Sequence, residues 1–214
     1  MKPKVISFDL DGTLTDSSFA NNIWLEEVPK LYANKNKISF DAAKKIVLNN
    51  YNKVGSEKLE WYNLQYWFNK FNIDKKPKEI LASHKNKIKL FDDVHFILKK
   101  LSKLNKKIII ISNARREFVD LEIQQTKIRK FFNYIFSATS DFNLTKNNPT
   151  IFQEVCKTCK ISPFEMIHIG DDYKFDYQIP KKIGIKAIYL NREKQKTENC
   201  NKEEIITLRK LRIL

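Results

Sequence analysis

A chain of 214 residues is long enough to bury a substantial core, and its length fits one catalytic domain carrying a smaller module better than two equal halves. Hydrophobic residues at 42% and charged residues at 30% fit a soluble globular protein, and no apolar run approaches the roughly 20 residues of a membrane-crossing helix, which excludes a helical span. Forty Lys and Arg against 25 Asp and Glu leave a net charge of +15, which attracts nucleic acid, anionic surfaces or phosphorylated metabolites without choosing among them, and scattered lysines on a solvated surface account for it equally well.

Met1-Lys2-Pro3-Lys4 runs directly into Val5-Ile6-Ser7-Phe8 without the long apolar region of a secretory signal, so a cytoplasmic location is expected. Val5 to Phe8 reads as a short buried parallel strand that stops at Asp9-Leu10-Asp11-Gly12-Thr13. Residues 16–88 contain no convincing strand and read as a helical insert. Phe40, Ala43, Ile46 and Val47 form one helical stripe, and Trp61, Leu64, Phe68 and Phe71 form another. Tyr32, Lys53, Trp61 and Tyr66 are candidate substrate contacts within it. Lys75-Lys76-Pro77-Lys78 precedes its last helix, and Phe91-Asp92-Asp93 marks the return to the main domain.

Val94, Ile97, Leu98, Leu101 and Leu104 recur at helical spacing. Lys107 to Ile111, with four isoleucines in a row, is a second strand; it leads to Ser112-Asn113 and a helix from about Arg115 to Lys127. Asn148 as N-cap and Pro149 at the first position open a helix carrying Ile151, Phe152, Val155 and Cys159. Cys156 and Cys159 form a CxxC inside that helix with no second pair, so they read as ordinary thiols. With Cys200 they make an odd number that fits no disulfide framework. Ser162-Pro163-Phe164-Glu165 is a capping box. Met166 to Ile169 is a strand ending in Gly170-Asp171-Asp172, and after a turn at Gly184 comes a strand over Ala187 to Leu190. Residues 193–203 read as an unstructured polar stretch. Alternating strands and helices predict an α/β fold with a parallel sheet, whose ligands gather at the carboxyl ends of the strands, where the polar clusters fall.

Two carboxylates as close as Asp9 and Asp11 repel unless a cation offsets them. Oxygen-only ligation suits magnesium, with Asp171 as a further ligand. A carboxylate attacking an anionic phosphate meets the same repulsion, which calls for a lysine on the phosphoryl oxygens, and Lys146 is the candidate. His84, His95 and His168 form no comparable series and receive no role.

Phe8-Asp9-Leu10-Asp11-Gly12-Thr13-Leu14-Thr15-Asp16-Ser17 resembles the first motif of the haloacid dehalogenase superfamily. Ile108 to Asn113, Lys146-Asn147-Asn148-Pro149 and Gly170-Asp171-Asp172-Tyr173-Lys174-Phe175-Asp176 resemble the three that follow, in order. The third motif departs from the common Lys-Pro-Asp-Pro while keeping its lysine and its helix-starting proline. The resemblance, nearest to the phosphoglycolate phosphatase and beta-phosphoglucomutase group, implies a Rossmann-like three-layer parallel-sheet core over residues 1–15 and 89–214. Residues 16–88 would then form a helical cap inserted after the first strand.

By the same resemblance Asp9 forms an aspartyl-phosphate and Asp11 acts as general acid and then general base. Mg2+ is held by Asp9, the backbone carbonyl of Asp11, and Asp171. Ser112, Asn113 and Lys146 bind the phosphate, with Asp176 and Asp172 behind them. Dehalogenases of this group lack an acid at the position of Asp11, so dehalogenation is disfavoured. The expected activity is hydrolysis of a small phosphorylated metabolite. The alternatives are a phosphomutase of the beta-phosphoglucomutase type, or a phosphatase or binding protein for nucleic-acid ends, which the charge and the aromatic segment near Trp61 suggest but no nucleic-acid motif supports.

Overall fold

The computed structural model describes residues 3–193 and 203–211. Six strands, β1 (Val5–Phe8), β2 (Lys107–Ser112), β3 (Tyr134–Ser137), β4 (Met166–Gly170), β5 (Lys186–Leu190) and β6 (Glu204–Ile205), form one sheet in the order β3-β2-β1-β4-β5-β6. Every pairing is parallel, with Phe8 opposite Ile110 on one side and Ile169 on the other. The order reverses beside β1, and in such sheets the reversal opens a crevice at the carboxyl edge.

The isoleucine run of β2 shows why these strands are apolar throughout. Ile108 and Ile110 face one layer, where they pack with Val94, Ile97, Leu98 and Leu101, and with Val119 and Ile123. Ile109 and Ile111 face the other, against Ile151, Phe152 and Val155. A strand covered on both faces cannot alternate with polar residues, and each buried isoleucine contributes about 1.5–3 kcal/mol.

Among the described residues, the chain between β1 and β2 is helical. It comprises α1 (Ser18–Asn21), a π-helical turn (Asn22–Glu27), α2 (Val28–Asn36), α3 (Phe40–Val54), α4 (Leu64–Lys70), α5 (Pro77–Ser83) and α6 (Val94–Leu101). From Phe19 to Ile88 these elements share a hydrophobic cluster around Trp67, Phe68 and Tyr51, which Phe118 joins from the sheet side. Within the expected stripe of α3, Ala43 and Val47 are buried but Ile46 is 39% exposed, and Tyr51 takes up the inward face instead.

The remaining helices are α7 (Arg116–Thr126), α8 (Ala138–Asp141), α9 (Thr150–Cys159) and α10 (Ile179–Lys181). Helix α9 starts one residue later than the sequence suggests: Pro149 occupies the cap position, and Asn148 Oδ1 accepts from the Thr150 amide at 3.0 Å. The capping box at Ser162 and Glu165 is present. Strands β3 and β6 had no counterpart in the sequence reading. Cys200 and most of the polar stretch at 193–203 lie outside the described residues. No helix among the described residues is long and apolar enough to cross a membrane.

Candidate active site

Asp9 is the first residue beyond β1, Ser112 the last of β2, and Asp171 the first beyond β4, so three adjacent strands end in polar side chains. With Asp11 and Lys146, from the loop between α8 and α9, they line a cavity of about 470 Å³. From the helical segment, Trp24, Trp61 and Tyr62 complete its wall. Of the four residues suggested there from the sequence, Trp61 alone borders this cavity.

Lys146 is buried, and its Nζ lies 2.5 Å from Asp9 Oδ1 and 2.6 Å from Asp176 Oδ1. Burial works against its charge, but the two carboxylates outweigh it and raise its pKa. Asp176 meets the same opposition from burial, and Lys146 with His168 brings it down to about 2. Because ionised Asp176 can only accept, His168 Nε2 carries the proton of the 2.9 Å contact to Asp176. His168 Nδ1 is left to accept from the Ser7 hydroxyl, also at 2.9 Å. Burial lowers the pKa of this imidazole and keeps it neutral. His168, read from the sequence as a plain core residue, is therefore a buried link in a chain that runs from Ser7 through His168, Asp176 and Lys146 to Asp9.

Burial raises Asp9 well above the ordinary carboxyl value despite the pull of Lys146, and raises Asp11 and Asp171 to about 6. Carboxylates this crowded suit a cation. Asp9, Asp171 and Asp176 each offer an oxygen within 4.8 Å of the other two. Asp176 is already engaged through both oxygens, since Oδ2 accepts from the Asp172 amide at 3.1 Å. Asp9 and Asp171 each commit only Oδ1 to a side-chain donor among the described residues, Lys146 for the first and Thr13, at 2.7 Å, for the second. The carboxyl of Asp11 is not part of this cluster.

Glycine lets the acids come this close. Gly12 has φ +78°, and a Cβ there would lie 2.2 Å from Asp171 Oδ2; one on Gly170 would lie 2.3 Å from Asp176 Cγ.

Two expected site residues that border the cavity also brace the scaffold. Asn113 Oδ1 accepts from the Lys146 amide at 2.7 Å, and its Nδ2 donates to Tyr62 Oη at 3.0 Å, so its side chain ties the lysine loop to the helical segment. Asp172 Oδ1 accepts from the amides of Lys174 and Phe175 and caps the π-helical turn Tyr173–Gln178. Glu57 adds a second tie: its carbonyl accepts from Thr145, and its carboxylate meets Asn147 and Lys174.

Glu122 was also missed. It is fully buried on α7 among Phe118, Val119 and Ile123, and a lone acid on an otherwise apolar helix face was the available signal.

The sequence matches the haloacid dehalogenase-like hydrolase family over residues 6–190. It is 29% identical to the glyceraldehyde 3-phosphate phosphatase of Pyrococcus furiosus, over 87% of this chain and 80% of that one. With the GMP/IMP nucleotidase YrfG of Escherichia coli it shares 24% identity over 78% of this chain and 73% of that one. The fold superimposes on the crystal structure of a HAD phosphatase from Thermococcus onnurineus with TM-score 0.84 and 25% identity, covering 98% of this chain and 95% of the other. Strand-end acids, sheet order and relatives agree: the chain belongs to the haloacid dehalogenase-like hydrolase family and is an enzyme of its phosphatase type.

Proposed function

We propose that this enzyme is a magnesium-dependent phosphatase that hydrolyses a small, soluble phosphorylated metabolite of the cytoplasm in two steps, through a phosphoryl group carried on Asp9. One observation carries the reading: Asp9 sits at a buried strand end, opens onto the 470 Å³ cavity, and is held 2.5 Å from Lys146 Nζ. Asp9 attacks phosphorus, and Asp11 protonates the departing ester oxygen. Asp11 then takes a proton from the water that releases phosphate. Lys146 offsets the negative charge that gathers on the phosphoryl oxygens, and Ser112 borders the same space.

The all-oxygen donor set fits magnesium, which Asp9, Asp171 and the Asp11 carbonyl would hold and which would supply further neutralisation of the phosphate. Asp176 stays behind the site and holds Lys146 in place. The helical segment over residues 16–88, with Trp24, Trp61 and Tyr62 on the cavity, serves as a cap that keeps bulk water out. The relatives named for their activity are hydrolytic, which favours hydrolysis over phosphoryl transfer within a sugar.

The test is phosphate release from a panel of phosphorylated metabolites with and without magnesium. Wild type releases phosphate only with the metal, and Asp9→Asn falls by on the order of 10⁴-fold or more. Equal release by the two proteins overturns the reading.

A further inference from the structure

The loop that carries Lys146 belongs to no helix or strand, yet three successive residues in it are held by side chains and carbonyls from elsewhere. The Thr145 hydroxyl donates to the Glu57 carbonyl at 3.1 Å, the Lys146 amide to Asn113 Oδ1 at 2.7 Å, and Asn147 Nδ2 to Glu57 Oε2 at 3.2 Å. Thr145, Lys146 and Asn113 are buried, so the lysine amide depends on Asn113 for its acceptor. Glu57 lies in the helical segment, five residues before Tyr62.

Tyr62 completes the arrangement. Asn113 Nδ2 donates to Tyr62 Oη at 3.0 Å, and Tyr62 Oη donates to the Ser56 carbonyl at 2.9 Å. The direction of each bond is forced. A carbonyl can only accept, so the hydroxyl proton points to Ser56 and the phenolic oxygen is left to accept from Asn113. An amide has its donors at one end and its acceptor at the other, so an Asn113 that donates to Tyr62 turns Oδ1 towards the Lys146 amide. Without the hydroxyl, Nδ2 loses its acceptor and the amide is held from one end alone.

We propose that Tyr62 is a positioning residue for Lys146: its hydroxyl fixes the Asn113 side chain, and Asn113 fixes the backbone from which the lysine reaches Asp9. The inference rests on the role given to Lys146 above. Lys146 Nζ stands 2.5 Å from Asp9 Oδ1, and at that range a small shift of the loop moves its charge away from the reacting group. The relay spans 51 residues from Tyr62 to Asn113 and 33 from Asn113 to Lys146, so the segment that walls the cavity also sets the cation on its floor.

Tyr62 itself borders the cavity, and a direct touch on the substrate is the rival account of any loss. The experiment compares Tyr62→Phe, Asn113→Ala, the double variant and Asp9→Asn with wild type. Phenylalanine keeps the ring and its packing and removes only the hydroxyl. The probes are acetyl phosphate and p-nitrophenyl phosphate, which share the phosphoryl group and differ in the bulk they present to the wall.

The expected result for Tyr62→Phe is a fall in kcat of roughly 10-fold on both probes with little change in KM, the mark of a contact that matters in the transition state. In the Asn113→Ala background, removing the Tyr62 hydroxyl costs nothing further, because the relay is already cut. An unchanged kcat, a loss confined to KM or to the bulkier probe, or a full additional loss in the double variant overturns the proposal. If Asn113→Ala does not fold, the comparison of Tyr62→Phe across the two probes decides it alone. Phosphate release that survives in Asp9→Asn overturns the phosphatase reading itself, whereas an Asp9-dependent enzyme indifferent to the Tyr62 hydroxyl overturns only this inference.

Discussion

Lys146 holds two acids, and its removal separates the energetic role of the cluster from the chemical one. With the ammonium gone, Asp9 and Asp176 face each other in a buried site that no longer neutralises them. Lys146→Met is expected to lower stability by about 3–5 kcal/mol in urea unfolding with a chelator present, the cost of breaking a buried ion pair from one side. Phosphate release is expected to fall as well, because in the proposed mechanism the same nitrogen offsets the charge on the phosphoryl oxygens. The acids of this site were legible because motif order points to them: Asp9, Asp11, Asp171 and Asp176 stand at fixed places beside strand ends and glycines. His168 and Glu122 were not, because a single polar residue within an apolar strand or helix face does not reveal what it meets in the fold. Two of their partners, Ser7 and Thr15, are 161 and 107 residues away, and only the fold turns Asp176 back onto His168.

At the scale of elements, the helices between β1 and β2 hold together around one aromatic side chain. Trp67 is fully buried, meets Tyr51 edge-on at 4.6 Å and stacks with Phe71 at 5.6 Å, while its indole nitrogen donates to the Trp61 carbonyl at 3.1 Å. Trp67→Ala is expected to cost about 3–5 kcal/mol by urea unfolding, and to raise KM because Trp61 and Tyr62 lose the packing behind them. The central strands were visible in the sequence because burial on both faces makes them apolar throughout. Strand β3 was not, since it has only four residues at a sheet edge and Tyr134 faces solvent. Strand β6 has two residues and leaves no pattern at all. In α3, periodicity located the helix but not its inward face, because Tyr51 outcompetes Ile46 for the aromatic cluster.

Across the whole molecule, a clasp joins the two ends of the core. Asp93, at the start of α6, accepts from Arg192 at 3.0 and 3.1 Å, from the Thr207 hydroxyl at 2.6 Å and from the Leu208 amide at 2.8 Å. Burial works to raise its pKa, but these donors outweigh it and hold the folded value below the ordinary 3.8. A carboxyl depressed in this way stabilises the fold fully above its unfolded value, and that contribution is lost as pH falls through the folded one. Asp93→Asn is therefore expected to cost about 1–3 kcal/mol at neutral pH, towards the lower end where solvent screens the pair, and its unfolding curve should converge with that of wild type in acid. The net charge of +15 was plain from composition, whereas this clasp was not: it joins Asp93 to partners 99 and 114 residues further along the chain.

Gly12 and Gly170 carry a consequence for how this gene can vary. Every amino-acid replacement of glycine adds at least a Cβ, and at these two positions that atom would fall 2.2 Å from Asp171 Oδ2 and 2.3 Å from Asp176 Cγ. No point mutation that changes either residue is therefore small. Gly55, whose Cβ would meet nothing within 4 Å, has ample space around it and is limited only by its φ of +79°. Mutational freedom is thus distributed unevenly: the turn at Gly55 has open space around it, while the two turns that bring the acids together are closed to stepwise change.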